Sequence, residues 1–335
     1  MAKNSISVKE CLLDLYSRFP LEYEAKAEVP HTFYGFMENI FEDFIRVLEI
    51  VDREDLEYTL KSENIVEHFC KPCSQERFIN CMKKVCEDFL NVLSLCYRGN
   101  VLKTHQLLRS ILYTNKYGSY LVEPYINYLE FDIGKENKIF YRMRDLSVKD
   151  SQVPNCWHVP YELRSKVFAG RYSLFGYPCL YLADSKGTCD AELGVLDKDM
   201  RRWVGEFELK DAGLLYDLRV PTAQKIQSIA APFDLFKCLI RYPMLAICSS
   251  KSELKSNEFH EEYYIPQLLL HNLLIPYKGE TSQTAIAYSS MKHKGGYNLV
   301  FPAMYKSQVP PSSGFSPILQ ELFLSREPII YRTNN

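Results

Sequence analysis

The chain has 335 residues, 47% of them hydrophobic and 24% charged, which is enough apolar material for a sizeable core and too much chain for one average domain. Forty Lys and Arg against 42 Asp and Glu leave a net charge of −2, so neither nucleic acid nor an anionic membrane surface is expected as a partner. Lys3, Lys9, Glu10, Asp14 and Arg18 interrupt the opening stretch and no apolar run approaches about 18 residues, so the reading is a cytoplasmic protein in which most of the eleven cysteines are free thiols.

In chain order, Ser7 and Glu10 fit a capping box, and Val8, Cys11, Leu12, Leu15, Tyr16 and Phe19 then recur at helical spacing until Pro20. A second stripe of the same period is Phe36, Ile40, Phe41, Phe44, Ile45 and Leu48. A third is Phe78, Met82, Val85, Phe89 and Val92, behind a cap at Ser74. Asn100 caps a fourth, with Leu107, Leu108, Ile111 and Leu112. Residues 1–134 therefore read as a helical domain.

Near residue 135 the texture changes to short Tyr, Phe, Val and Ile runs divided by Gly, Pro, Asn and Asp. Strands are expected at Lys138 to Met143, Cys179 to Ala183, Trp203 to Leu209, Leu214 to Leu218, Thr284 to Ser289 and Tyr297 to Pro302. Helices are expected at Thr188 to Gly194, Thr222 to Tyr242 and Glu258 to Leu274. The expected fold class is α+β: a helical bundle over 1–134, then a mixed, mainly antiparallel domain over 135–335.

Cys70-Lys71-Pro72-Cys73 is a single CxxC without a second, and Cys81 and Cys86 fall on an amphipathic helix, so buried thiol is the expected reading and no metal site is assigned. His260 and His271 lie on a helical stretch with no metalloprotease spacing and read as structural. Gly295-Gly296 reads as a hairpin turn.

The stretch Arg171-Tyr172-Ser173-Leu174-Phe175-Gly176-Tyr177-Pro178-Cys179-Leu180-Tyr181-Leu182-Ala183, followed by Ala191-Glu192-Leu193, resembles the central motif of the RES family. Upstream, Phe140-Tyr141-Arg142 is similar to the family's first strand, and downstream Tyr288-Ser289-Ser290 with Asn298 is similar to the segment that supplies its serine. His158-Val159-Pro160 and the stretch Tyr263 to Leu270 resemble the longer subgroup. The resemblance runs from about residue 138 to 303 and leaves the helical half outside it.

The resemblance implies an ADP-ribosyltransferase-like fold that consumes NAD⁺, with Arg171, Glu192 and Ser290 as the naming residues and Ser289 as the alternative serine. Arg142, Tyr172, Tyr181, His158 and Asn298 would contact the dinucleotide. It implies a toxin held in check by a protein partner, or a defence effector, compatible with an activating partner or a homo-oligomer, and no cofactor beyond NAD⁺ as substrate.

The chemistry suits these residue types. Cleaving the bond between nicotinamide and ribose develops positive charge on the sugar, which a carboxylate such as Glu192, expected on the first turns of its helix, stabilises. Guanidinium forks at Arg142 and Arg171 match pyrophosphate oxygens. Tyr181 offers an aromatic face and Ser290 a hydroxyl. Hydrolysis and phosphorolysis stay open, as do transfer of ADP-ribose to a macromolecule and a non-catalytic nucleotide sensor.

Overall fold

The computed structural model describes residues 5–23, 32–61, 74–118, 121, 123–133, 138–150, 152–210, 214–252, 260–273, 285–305 and 310–331. Its elements begin with α1 (Val8–Ser17), β1 (Leu21–Tyr23), α2 (Thr32–Glu49), α3 (Arg53–Leu60), α4 (Gln75–Tyr97) and α5 (Val101–Tyr113). There follow β2 (Glu130–Asp132), β3 (Ile139–Ser147), β4 (Cys179–Ala183), α6 (Lys186–Leu193), β5 (Met200–Leu209) and β6 (Leu214–Leu218). Next come α7 (Ala223–Ser228), α8 (Pro232–Cys248), β7 (Ser250–Ser252) and α9 (Tyr264–Leu273). The chain closes through β8 (Ala285–Ser289), β9 (Tyr297–Pro302), α10 (Pro317–Leu322), β10 (Phe323–Ser325) and β11 (Ile329–Ile330).

The first unit takes residues Met1–Leu129 together with Val220–Asn272. The helix starts follow the sequence signals: Ser7 and Glu10 close a reciprocal capping box, and Ser74 and Asn100 accept from backbone N–H groups of α4 and α5. At the centre lies α8, in which every residue from Leu235 to Cys248 except Lys237 and Arg241 is buried. A helix apolar all round needs cover on every side, and α1, α2, α3 and α4 all pack against it. Pro243 deprives the Leu239 carbonyl of its helical donor. The carbonyls on either side are claimed by side chains, Tyr16 Oη donating to Cys238 at 2.8 Å and Tyr125 Oη to Ile240 at 2.6 Å.

This corrects the division into 1–134 and 135–335: the segment Val220–Asn272 belongs with the helices, not with the sheet. The reason is the all-round apolarity of α8, which one sheet face would leave half uncovered. The helix expected over Thr222 to Tyr242 is also two, α7 and α8, with Pro232 opening the second.

The second unit takes Glu130–Arg219 and Leu273–Asn335. Its mixed sheet runs β10-β5-β3-β4-β9-β8-β6-β2, with β11 also on β5, and its only parallel pairing among the described residues is β6 with β8. The fold is therefore α+β with a mixed, mainly antiparallel sheet. β4, β6 and β9 have the bounds the sequence indicates, whereas β3 and β5 are longer.

Strand alternation divides the sheet's residues between two faces. Phe140, Leu180, Leu182, Phe207, Ala285, Ala287, Leu299 and Phe301 join one buried cluster. The alternate residues Tyr181, Ala183, Tyr288 and Asn298 belong to the opposite face, where α6 packs on β3 and β4. Among the described residues no helix is long and apolar enough to cross a membrane. Cys70 and Cys73 lie outside the described residues, and Cys81 and Cys86 are buried thiols on α4.

Candidate active site

Ser185 caps α6, its hydroxyl accepting from the Thr188 amide, so the helix begins at Lys186 and Glu192 falls in its last turn. The expectation of a position on the first turns is corrected by this cap. The change matters, because a carboxylate near a helix C-terminus faces the negative end of the helix dipole. Its stability must come from elsewhere.

Two donors supply it. Ser290 Oγ donates to Glu192 Oε1 at 2.7 Å, and Asn298 Nδ2 donates to the same oxygen at 2.8 Å. Glu192 Oε2 takes no hydrogen bond among the described residues. The carboxylate is thus fixed by one oxygen, in a half-buried position. Of the two adjacent serines, Ser290 is the one bonded to the carboxylate.

Cations offset the helix end. Lys292 Nζ donates to the Glu192 carbonyl at 2.6 Å, and Arg202 Nη1 donates to the Gly194 carbonyl at 3.0 Å. Arg202 is almost fully buried and forks onto Asp145 at 2.8 and 2.7 Å while also gripping Asp190. Its hydrogen bond to Asp145, more than any other influence, raises its pKa above the ordinary guanidinium value. One side chain thereby ties β3, β5 and the end of α6 together. Sequence reasoning missed both residues, since Arg201-Arg202 and Lys292 look like any strand-edge or turn cations.

The Ser290 loop is a short hairpin tip between β8 and β9. Asn298 pairs with Tyr288 across β8 and β9 and with Ala183 across β4, which brings its amide to the Glu192 face. Ser290 N donates to the Gly296 carbonyl at 2.9 Å, continuing the ladder into the loop. The Ser290 hydroxyl accepts from the amides of Lys292 at 3.2 Å and His293 at 2.9 Å.

The other candidates are spread around this cluster. Tyr181 is on the same sheet face as Asn298, and burial pushes its hydroxyl well above the usual phenol pKa. Arg171 occupies the turn closed by Gly170 N to Ser173 O at 2.9 Å. That turn lies over Tyr181: a Cβ placed on Gly170 would sit 3.0 Å from Ser173 Oγ and 3.6 Å from Tyr181 Oη. Tyr172 is fully buried, its ring 4.7 Å from that of Tyr288, so it packs beneath the site and offers a ligand no surface.

Arg142 lies two residues from Phe140 on β3, opposite Gly205, so strand alternation puts it on the Phe140 face and not on the face of Tyr181 and Asn298. Its Nη1 is buried without a hydrogen-bond partner, and burial, helped by nearby Arg144, lowers its pKa to about 10. β3 and β4 share one ladder pair, Tyr141 with Ala183. His158 is fully buried with both ring nitrogens engaged: Nε2 accepts from Ser316 N at 2.8 Å and Nδ1 lies 2.7 Å from the Val159 carbonyl. The expected ligand role for His158 gives way to a structural one.

What the fold and site define is an α+β protein in which a serine and an asparagine from the β8–β9 hairpin hold a carboxylate on α6, on a chain that also has a helical unit. No family model matches the chain, and no solved structure matches it. It is 26% identical over 209 residues to a Bacillus subtilis (strain 168) protein named "Putative toxin YopC". The match takes in 58% of this chain and 46% of that protein, so the chain matches less than half the length of a distant relative bearing a toxin's name.

Proposed function

We propose that this chain breaks the bond between nicotinamide and ribose in NAD⁺, as a RES-type enzyme with an ADP-ribosyltransferase-like arrangement, and depletes the dinucleotide as a toxin. The observation that carries the reading is Glu192, pinned at Oε1 by Ser290 and Asn298 with Oε2 left over. A carboxylate so oriented hydrogen-bonds a ribose hydroxyl and sets negative charge beside the oxocarbenium-like sugar of the transition state.

The bond order of the chemistry suits a site with one carboxylate. The C1′–N bond breaks with its electron pair returning to the pyridinium nitrogen, so nicotinamide leaves neutral and needs no general acid. Water then adds to C1′ and loses one proton to solvent or to Glu192; phosphate in place of water gives ADP-ribose 1″-phosphate. Arg142, a half-buried cation whose Nη1 is buried and unpartnered, suits an anion such as the pyrophosphate. Arg171 supplies the second guanidinium from the turn beside Tyr181. The relative's name supports the toxin part of the reading, and a growth-arresting activity implies an inhibitory protein partner.

The test is nicotinamide release from NAD⁺ by the purified chain and by Glu192→Ala, with and without phosphate. Release by the native chain alone establishes the reaction, and phosphate dependence separates phosphorolysis from hydrolysis. Label retained on protein would move the reading to ADP-ribose transfer, and tight binding without turnover to a nucleotide sensor.

A further inference from the structure

We propose that His293 is a positioning residue of this site: its ring, held as the Nδ1–H tautomer by Thr188 and Asp184, locks the 290–296 loop so that the Ser290 proton points at Glu192. The inference rests on the reading of Glu192 given above and adds residues that neither the sequence motif nor that reading includes.

The lock follows from counting protons. Thr188 has no exposed surface, and its Oγ1 lies 2.6 Å from Asp184 Oδ1, 2.8 Å from His293 Nδ1 and 2.9 Å from Ser185 Oγ. A hydroxyl has one proton to give, and an ionised carboxylate can only accept, so Thr188 donates to Asp184. His293 Nδ1 must then carry the hydrogen and donate to Thr188. Donation runs one way, from His293 through Thr188 to Asp184, and it runs the same way whether the ring is neutral or charged.

The same residue acts at its other end on the serine. The His293 amide donates to Ser290 Oγ at 2.9 Å and the Lys292 amide at 3.2 Å, which fills the acceptor capacity of that oxygen. The serine proton is left one destination, Glu192 Oε1 at 2.7 Å. His293 thus spans α6: its ring is fastened to the first turn at Thr188, and its amide fixes the serine that serves Glu192 in the last turn.

Backbone fit makes the lock tight. A Cβ at Gly296 would stand 2.3 Å from Thr188 Oγ1 and 2.7 Å from His293 Nδ1, so the main chain closes over the bond between them. At Gly187 the fit is looser, since a Cβ there would lie 3.6 Å from His293 Cε1, an ordinary contact. Gly296 thus has a packing reason that a hairpin-turn reading of Gly295-Gly296 does not supply.

Two measurements on the full chain test this. In steady-state NAD⁺ cleavage, His293→Ala is expected to lower kcat by about 10- to 100-fold with KM within about twofold, because orientation of the carboxylate is felt in the transition state. His293→Asn restores a donor at the Nδ1 position and is expected to return kcat to within about threefold of native. Native kcat in His293→Ala would overturn the proposal, and so would His293→Asn as slow as the alanine variant, which would assign chemistry to the ring itself. In ¹⁵N-histidine spectra the His293 ring is expected as Nδ1–H in the native chain and to lose that preference in Thr188→Val; an Nε2–H tautomer overturns the lock. The spectra decide the lock even if the native chain releases no nicotinamide, an outcome that would instead defeat the reading of function. They also decide it if His293→Ala does not fold.

Discussion

At the scale of single residues, the contrast between Glu192 and His158 shows how far a side chain's type decides its role. Both lie within the RES-like stretch, yet one keeps an unsatisfied oxygen and the other has spent both nitrogens. Glu192→Gln retains an acceptor for Ser290 and Asn298 while removing the charge, so kcat for nicotinamide release should fall about 10²- to 10³-fold with thermal stability nearly unchanged. A loss of folding in this variant would show the carboxylate to be structural. For His158, burial above all, with Arg142 and Arg144 adding to it, lowers the pKa to about 4. The sign follows from proton binding: between pH 6.5 and about 4 the unfolded chain takes up a proton on this residue that the folded chain refuses. Stability from this site is therefore full above pH 6.5 and declines as pH falls, by up to about 1.4 kcal/mol per unit. Urea unfolding should show a shallower dependence over that window in His158→Gln, which keeps an acceptor for Ser316 N–H; an unchanged slope would place the pH dependence elsewhere.

At the scale of elements, α6 is the piece on which the site depends, and its cap decides where Glu192 falls. Motif order identified the helix and the carboxylate, but a two-residue shift of the helix start hung on Ser185, which alternation and period do not distinguish from neighbouring Asp184. The cations at the helix end were illegible for a different reason: Arg202 acts through Asp145 and Asp190, which are 57 and 12 residues away in sequence. Arg202→Met should leave both part-exposed carboxylates without their partner and cost about 1.5–3 kcal/mol, read as a lowered unfolding midpoint. Arg202→Lys should recover little of it, because an ammonium cannot reproduce the fork on Asp145 while also reaching Gly194 O. Full recovery by lysine would mean that charge alone matters there. The strands tell the opposite story: β4, β6 and β9 were legible to the residue because Tyr, Phe, Val and Leu runs bounded by Gly, Pro and Asp leave little freedom of register.

At the scale of the whole molecule, the sequence shows two textures and suggests one boundary between them, whereas the chain leaves the helical unit after Leu129 and re-enters it at Val220. A change of periodicity marks where strands begin, but it does not reveal that a later helix belongs with the first ones. What could have revealed it is α8 itself, since a helix apolar on every side asks for a bundle. The aromatic contacts make the dependence concrete. Phe44 stacks on Tyr242 with centroids 4.6 Å apart, Tyr16 meets the same ring at 5.6 Å, and Phe78 meets Phe236 at 5.8 Å. A fragment of residues 1–134 would expose the partners Tyr16, Phe44 and Phe78 at once, each worth about 1.5–3 kcal/mol of burial. Such a fragment should keep helical circular dichroism but lose amide dispersion and bind a hydrophobic dye, as a collapsed chain without fixed packing does. Joining residues 1–129 to 220–272 through a short glycine-rich linker restores α8 to its place and should give dispersed spectra with one cooperative unfolding transition. If the 1–134 fragment instead unfolds cooperatively, α8 is an ornament on the bundle and not its centre, and the helical unit is complete before the sheet begins.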